Sequence, residues 1–407
     1  MAKTHILQLV FFYLALTIYA IFSSPTPDIL GWPEILVAIL LFFSIRINFD
    51  HSINRFLLIV SAYGLSVPVI MAMIYGASLS DILRDVIPFL FLMLPLLYGW
   101  VTTYNPRLFL VMVVLAGIIF SIRTCWGYFP ILLTPAQWGQ GAPLDTLYLA
   151  NSPEVLFSSL ALLSLLFVRF AGEKMILPHQ ILISLGILIS SMIPIVATSL
   201  MMSRAGLGAV VLYFVLLSFV MFVRRPIRIG FILSLIGFVG LVVLQPVIET
   251  FLQPFLMALY QKTELVGLNS RAQEWGTVIN LVSGDIVTFL FGIGWGGRFD
   301  NPAVGGLEVN FTHSLISSLL LKSGLVGLII IFAAVAIPIV RTLKILISNR
   351  EQSSDRLGIL IFIAALAPFL IATLLYASYK SFGFGLILLI FSALSSRKLE
   401  IKSPTVS

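Results

Sequence analysis

Stretches of about 18 to 22 mostly apolar residues recur along the whole of this chain, and few architectures accept such a pattern. A helix rises 1.5 Å per residue, so each stretch is long enough to cross a hydrocarbon layer of roughly 30 Å. A closed β-barrel would instead show alternating segments of about ten residues. The length of 407 residues would by itself allow two or three soluble domains, but 59% hydrophobic and only 10% charged residues exclude them. The expected fold is an all-α, polytopic integral membrane protein, with residues 1–407 forming a single transmembrane domain. The start, "MAKTHIL", has the charge and apolar run of a signal peptide. It is followed by the Pro-broken turn "SSPTP" (23–27) rather than a cleavage site, so it reads as the first span.

Twelve spans fit, with centres near residues 14, 38, 66, 95, 114, 162, 190, 213, 239, 327, 367 and 388. With Lys3 cytoplasmic, sixteen of the 24 Lys and Arg fall on its side, and "VRRPIR" (223–228) and "RTLK" (341–344) both face the cytosol. This two-to-one bias has the sign of the positive-inside rule, so both termini are expected to be cytoplasmic. The same rule accounts for the net charge of +7, because the basic residues are scattered in short loops; no nucleic acid is expected as a partner. Two outward connections are long, about 123–154 and about 249–312, so function that needs a folded loop surface is expected outside, in a bacterium at the periplasmic face of the inner membrane. Within the second, "DIVTFLFGIGWGG" (285–297) is too short to cross and ends in glycines, which suits an amphipathic or re-entrant piece. One cysteine, Cys125, excludes an intramolecular disulfide and a Cys-based metal cluster.

His5, His51 and His179 fall on the cytoplasmic side of this layout, and His313 alone faces outward. It is either a polar residue satisfied at a helix end, with Thr312 or Asn310 capping the span that follows, or a general base able to take a proton from a hydroxyl. Arg204, in "MMSRAGLG" (201–208), opens the eighth span on the outer side. A guanidinium there either snorkels to headgroups or, with the free N–H groups of the first helical turn, suits a phosphate. Arg271, in "LNSRAQEW" (268–275), is either paired with Glu274 three residues on or a second anion ligand. Arg298 and Lys322 are further candidates; Lys322 lies about 13 Å along a helix from His313, where it either snorkels or lines a polar cleft. Trp126, Trp138, Trp275 and Trp295 suit an aromatic belt or sugar stacking. The sequence has no Asp-x-Asp, no His/Cys/carboxylate cluster with metal spacing and no Gly-x-Ser-x-Gly, and no strand precedes "FGIGWGG" (291–297). No metal, nucleotide or other cofactor is therefore expected. The chemistry that remains is one in which a donor carries its own leaving group, cations stabilise that group and one base activates the acceptor.

From His313 the chain reads His-Ser, nine residues (315–323), then Gly324-Leu-Val-Gly327. This resembles the His-[Asn/Ser/Gln], nine-residue spacer, Gly-x-x-Gly signature of the bacterial O-antigen ligases. Upstream, "SRAG", "NSRAQEW" and "GIGWGG" resemble the order seen across the O-antigen ligase and polymerase superfamily; residues 195–340 carry the likeness. The resemblance implies a GT-C-like membrane glycosyltransferase of about twelve helices, with a large periplasmic loop (249–312) between helices 9 and 10. Such an enzyme transfers a glycan from undecaprenyl diphosphate to an acceptor sugar hydroxyl, in lipopolysaccharide or surface polysaccharide assembly, without metal or nucleotide. His313 would then be the catalytic base, and Arg204 and Arg271 would bind the diphosphate. Gly324 and Gly327 would form a helix-packing face, since small residues let another backbone approach.

Two alternatives stay open. A polymerase shares the lipid-linked donor and joins it to another lipid-linked glycan rather than to a lipid A-core acceptor; the spacer and Gly-x-x-Gly favour the ligase. A secondary transporter also commonly has twelve spans, but carriers place ionisable residues at mid-bilayer, whereas here the charges are expected at span ends.

Overall fold

The computed structural model describes residues 2–24, 31–47, 52–129, 144–171, 178–224, 253–266, 270–348 and 355–395, together with 134, 137 and 138. In chain order the helices are α1 (Ala2–Phe22), α2 (Trp32–Ser44), α3 (Ser52–Ile74), α4 (Leu79–Leu92), α5 (Leu94–Tyr104), α6 (Pro106–Gly127), α7 (Leu144–Ala150), α8 (Pro153–Ala171), α9 (Pro178–Leu200) and α10 (Arg204–Arg224). Beyond them come α11 (Gln253–Val266), α12 (Ser270–Val282), α13 (Ile286–Phe291), α14 (Leu315–Ser348), α15 (Asp355–Leu374) and α16 (Phe382–Ser395). The chain is thus mostly helical, as its hydropathy requires. A small antiparallel hairpin of β1 (Phe299–Asn301) and β2 (Leu307–Val309), with Asn301 opposite Leu307, departs from the all-α expectation.

Among the described residues, eight helical stretches are long and apolar enough to cross a membrane, including Leu79–Tyr104 and Leu315–Ile347. Twelve were expected. The spans centred near 38, 213 and 388 correspond to the shorter apolar helices Trp32–Ser44, Arg204–Val220 and Phe382–Ser395. The one near 239 lies outside the described residues. The shortness of α16 has a packing reason: every residue from Phe382 to Phe391 is buried, so it is a core element apolar on all sides rather than a lipid-facing span. It packs against α4, α5, α8, α14 and α15.

Local chemistry sets the helix ends. Asn105 accepts from the Leu108 N–H at 3.1 Å with Pro106 at the first helical position of α6, and Ser78 accepts from Asp81 at the start of α4. At α14 the Ser314 hydroxyl accepts from the Ser317 N–H at 3.1 Å, so Ser314 caps this helix, not Thr312 or Asn310.

The segment 292–297 threads between α3, α4 and α14, and two broken helices make room for it. Pro68 in α3 has no N–H, which leaves the Gly64 carbonyl one turn back without a helical donor. The Trp295 indole donates to that carbonyl at 2.7 Å, and the Trp295 backbone N–H donates to the Pro68 carbonyl at 3.1 Å. Trp295 is therefore buried, neither in a belt nor open to a sugar. In α14 the helix breaks at Gly324 (φ 64°, ψ −168°). The carbonyls of Leu321, Lys322 and Ser323 accept instead from Ile293 N–H, Gly294 N–H and the Tyr63 hydroxyl at 2.9, 3.0 and 3.0 Å. Irregular backbone at this depth is tolerated because these freed groups find partners. Gly292, Gly294 and Gly296 all have positive φ, and a Cβ on Gly294 would overlap the Ala72 backbone. Gly324 and Gly327 thus do not form one helix face. Gly327 stays helical beside Tyr63, whereas Gly324 breaks the helix against Leu290 and Phe291.

Lys322 belongs to this arrangement. Its ammonium lies 2.9 Å from Asp85 and donates to the Gly297 carbonyl, while Asp85 accepts from the Gly296 N–H at 2.7 Å. Lys380 approaches Asp85 at 3.6 Å. The Lys322 side chain is 1% exposed, so it neither snorkels nor lines an open cleft. Nor are charges confined to span ends: Asp85 and Lys322 lie inside apolar helices, where each neutralises the other.

Candidate active site

Helix α12 carries one buried stripe, Glu274, Val278 and Val282, at four-residue spacing. The two valines pack with Ile293, Phe299 and Leu321 in a small separate core, and this packing directs Glu274 inward. There the carboxylate meets the chain just before α14. One oxygen accepts from the His313 backbone N–H at 2.8 Å, and the other lies 2.6 Å from His313 Nδ1 and accepts from Asn301 Nδ2 at 2.9 Å. Asn301 is held in turn, its Oδ1 accepting from the Ala303 N–H at 2.8 Å. Burial acts to raise the Glu274 carboxyl, but the hydrogen bonds from the His313 ring and backbone and from Asn301 outweigh it and hold the group below its ordinary value. The His313 ring is 26% exposed and packs edge-on against Phe311 at 5.8 Å. Its Nε2 makes no hydrogen bond among the described residues.

Arg271 lies one turn before Glu274. It makes no ion pair with it, because the carboxylate is already occupied by His313 and Asn301. Its guanidinium sits over the Tyr376 ring at 5.4 Å. Tyr376 also meets α10: the Ser203 hydroxyl donates to the Tyr376 hydroxyl at 3.5 Å, and Arg204 follows as the first residue of that helix. A small pocket lined by Asn151, Ser152, Thr198, Ser203, Tyr376 and Ser378 opens between the starts of α8 and α10. The turn 376–380 then runs beneath His313, with Tyr379 donating to the Thr312 carbonyl at 3.3 Å and Lys380 lying 5.6 Å over the Phe311 ring.

The structure therefore brings His313 and Arg271 together through α12, and connects them to the start of α10 through Tyr376. Arg298 is instead ion-paired with Asp81 at 2.9 Å, and Lys322 is committed to Asp85 and Gly297. Arg123, in the connection expected to face outward, donates to the carbonyls of Ala20 and Ser23 at 3.0 and 2.9 Å, tying down the end of α1. Sequence reasoning missed Asn301, Tyr376 and Tyr379, and considered Glu274 only as one of two alternatives for Arg271. The signal for Glu274 was available in the 274/278/282 stripe, which points the carboxylate away from solvent. Among the described residues no group of three or more His, Cys, Asp and Glu is placed to hold a metal ion.

Length and composition of the helices define the class, a helical polytopic membrane protein. No protein-family model matches the chain, and neither a curated protein nor a solved structure is significantly similar to it.

Proposed function

We propose that this protein transfers a glycan from undecaprenyl diphosphate to an acceptor sugar hydroxyl, in the manner of the O-antigen ligases its sequence resembles. One observation supports this reading above the others: one ring nitrogen of His313 is anchored by a buried carboxylate that lies one helical turn from a guanidinium, and the ring is part-exposed. His313 takes the acceptor hydroxyl proton as the oxygen attacks the anomeric carbon of the donor. The bond from that carbon to the diphosphate oxygen breaks, and Arg271 and Arg204 stabilise the departing diphosphate. The start of α10 adds free backbone N–H groups to the cation it carries. The site faces the periplasm, where a polar acceptor and a lipid-borne donor meet. The acceptor is the lipid A-core for a ligase, and a second lipid-linked glycan for a polymerase.

Transfer from a purified polyprenyl diphosphate donor tests this, with EDTA present and with each acceptor offered in turn. Losing the base in His313→Ala lowers the rate at least about a hundredfold, and Arg204→Ala and Arg271→Ala lower it by roughly two orders of magnitude each. Undiminished transfer in both His313→Ala and Arg204→Ala would sink the mechanism. Loss of transfer on adding EDTA would remove its metal-free part.

A further inference from the structure

We infer that Glu274 is a positioning residue which fixes the tautomer of His313, leaving Nε2 as the proton acceptor. The assignment follows from counting donors. Three nitrogens converge on two carboxylate oxygens: the His313 backbone nitrogen, Asn301 Nδ2 and the His313 ring Nδ1. The backbone N–H is a donor under all conditions. The amide of Asn301 is oriented by the Ala303 N–H, which requires Oδ1 on its side and so turns the NH₂ toward Glu274. With both oxygens accepting, the Nδ1 edge must carry the proton, and the neutral ring keeps its lone pair on Nε2.

Glu274 is 1% exposed and Asn301 is fully buried, so neither is free to reorient toward water. The hairpin of β1 and β2 thereby acquires a purpose: it carries Asn301 to the carboxylate that orients the base.

Glu274→Gln separates this role from simple packing, because it preserves shape and replaces one acceptor by a donor. Asn301 donates to the same carboxylate oxygen as the ring and would hold the amide oxygen there, so the exchange is made in a chain that also carries Asn301→Ala. The amide oxygen then faces the His313 backbone N–H, and its NH₂ faces Nδ1. The ring then takes its proton on Nε2, the edge that has to be free. Substituting an amide for the carboxylate behind a catalytic histidine is known to lower turnover by this route while leaving geometry intact.

This inference rests on the base role proposed for His313, and the experiment distinguishes the two. In a chain carrying His5→Gln, His51→Gln and His179→Gln, ¹⁵N NMR of the remaining imidazole reads the tautomer directly. With Asn301→Ala in place throughout, the neutral ring is expected to carry its proton on Nδ1 in the presence of Glu274, and on Nε2 in Glu274→Gln. In the transfer assay Glu274→Gln lowers kcat by about a hundred- to ten-thousand-fold with the donor KM little changed. Glu274→Asp, which keeps two acceptor oxygens, retains the Nδ1 proton and recovers part of the rate. A proton on Nε2 with Glu274 present, or the same tautomer before and after the Glu274→Gln substitution, overturns the inference. A protein that transfers no glycan yet holds the proton on Nδ1 supports the tautomer assignment and removes the base role instead.

Discussion

Gly324 is a residue whose missing Cβ decides where a helix stops. Its φ of 64° with ψ of −168° lies in a region that only glycine occupies readily. A side chain there would also meet the backbone at Leu290 and Phe291. Gly324→Ala is expected to lower stability by at least about 1–3 kcal/mol from backbone strain alone, read as a fall in Tm in detergent. An unchanged Tm would mean that the break is incidental. Gly327→Ala adds no such backbone strain, since Gly327 is helical, but its Cβ would overlap the Ser323 side chain and crowd the Tyr63 ring. The Gly-x-x-Gly pair was legible as a place of close approach, but the sequence did not distinguish a helix face from a helix break. That distinction depends on which backbone arrives opposite it. At His313 the legibility was similar. Charge bias set this histidine apart from the other three, yet the carboxylate beside it was considered only as one of two alternatives for Arg271.

At the scale of elements, the segment 292–297 acts as a wedge between α3 and α14, and its stability depends on groups that those helices release. Lys322 and Asp85 hold its end: one donates to the Gly297 carbonyl, the other accepts from Gly296. Removing one member of a buried pair leaves the other charge unmatched, which typically costs about 3–5 kcal/mol. Lys322→Met is expected near the lower end of that range, since Lys380 remains 3.6 Å from Asp85. A double-mutant cycle of Lys322→Met with Asp85→Asn should show a coupling of roughly 0.5–3 kcal/mol in denaturation. Strict additivity would show that the pair does not act as a unit. The alternating glycines at 292, 294 and 296 announced an unusual backbone in the sequence. Their hosts, a proline in α3 and a glycine in α14, were not identifiable from spacing because their pairing with the segment is set by the packing of whole helices.

The whole molecule has two chemically distinct ends. The stretch Leu79–Tyr104 covers 26 residues, about 39 Å if helical throughout. Near its first end lie Arg298 on Asp81, the hairpin and His313; toward the other end, Arg46 bonds to the Leu97 carbonyl and to His5 at 2.7 Å. Glu308→Cys, in the exposed β2 strand, and Tyr104→Cys, at the exposed end of α5, should therefore label from opposite faces of the membrane. Under the proposed orientation, a membrane-impermeant maleimide applied from outside to sealed right-side-out membranes is expected to modify the first and not the second once Cys125 is replaced. Equal labelling of both would overturn the orientation. The sequence by itself determined a helical membrane protein and the approximate centres of its described apolar helices, and it singled out His313 as the histidine to propose. Hydropathy, helical rise and loop charge are local properties and can be read window by window. Only the tertiary structure decided that Glu274 serves His313 rather than Arg271, that Tyr376 links Arg271 to the start of α10, and that Lys322 is buried against Asp85. These contacts join residues from 39 to more than 230 positions apart, and what selects them is the need to satisfy buried polar groups, which no local pattern records.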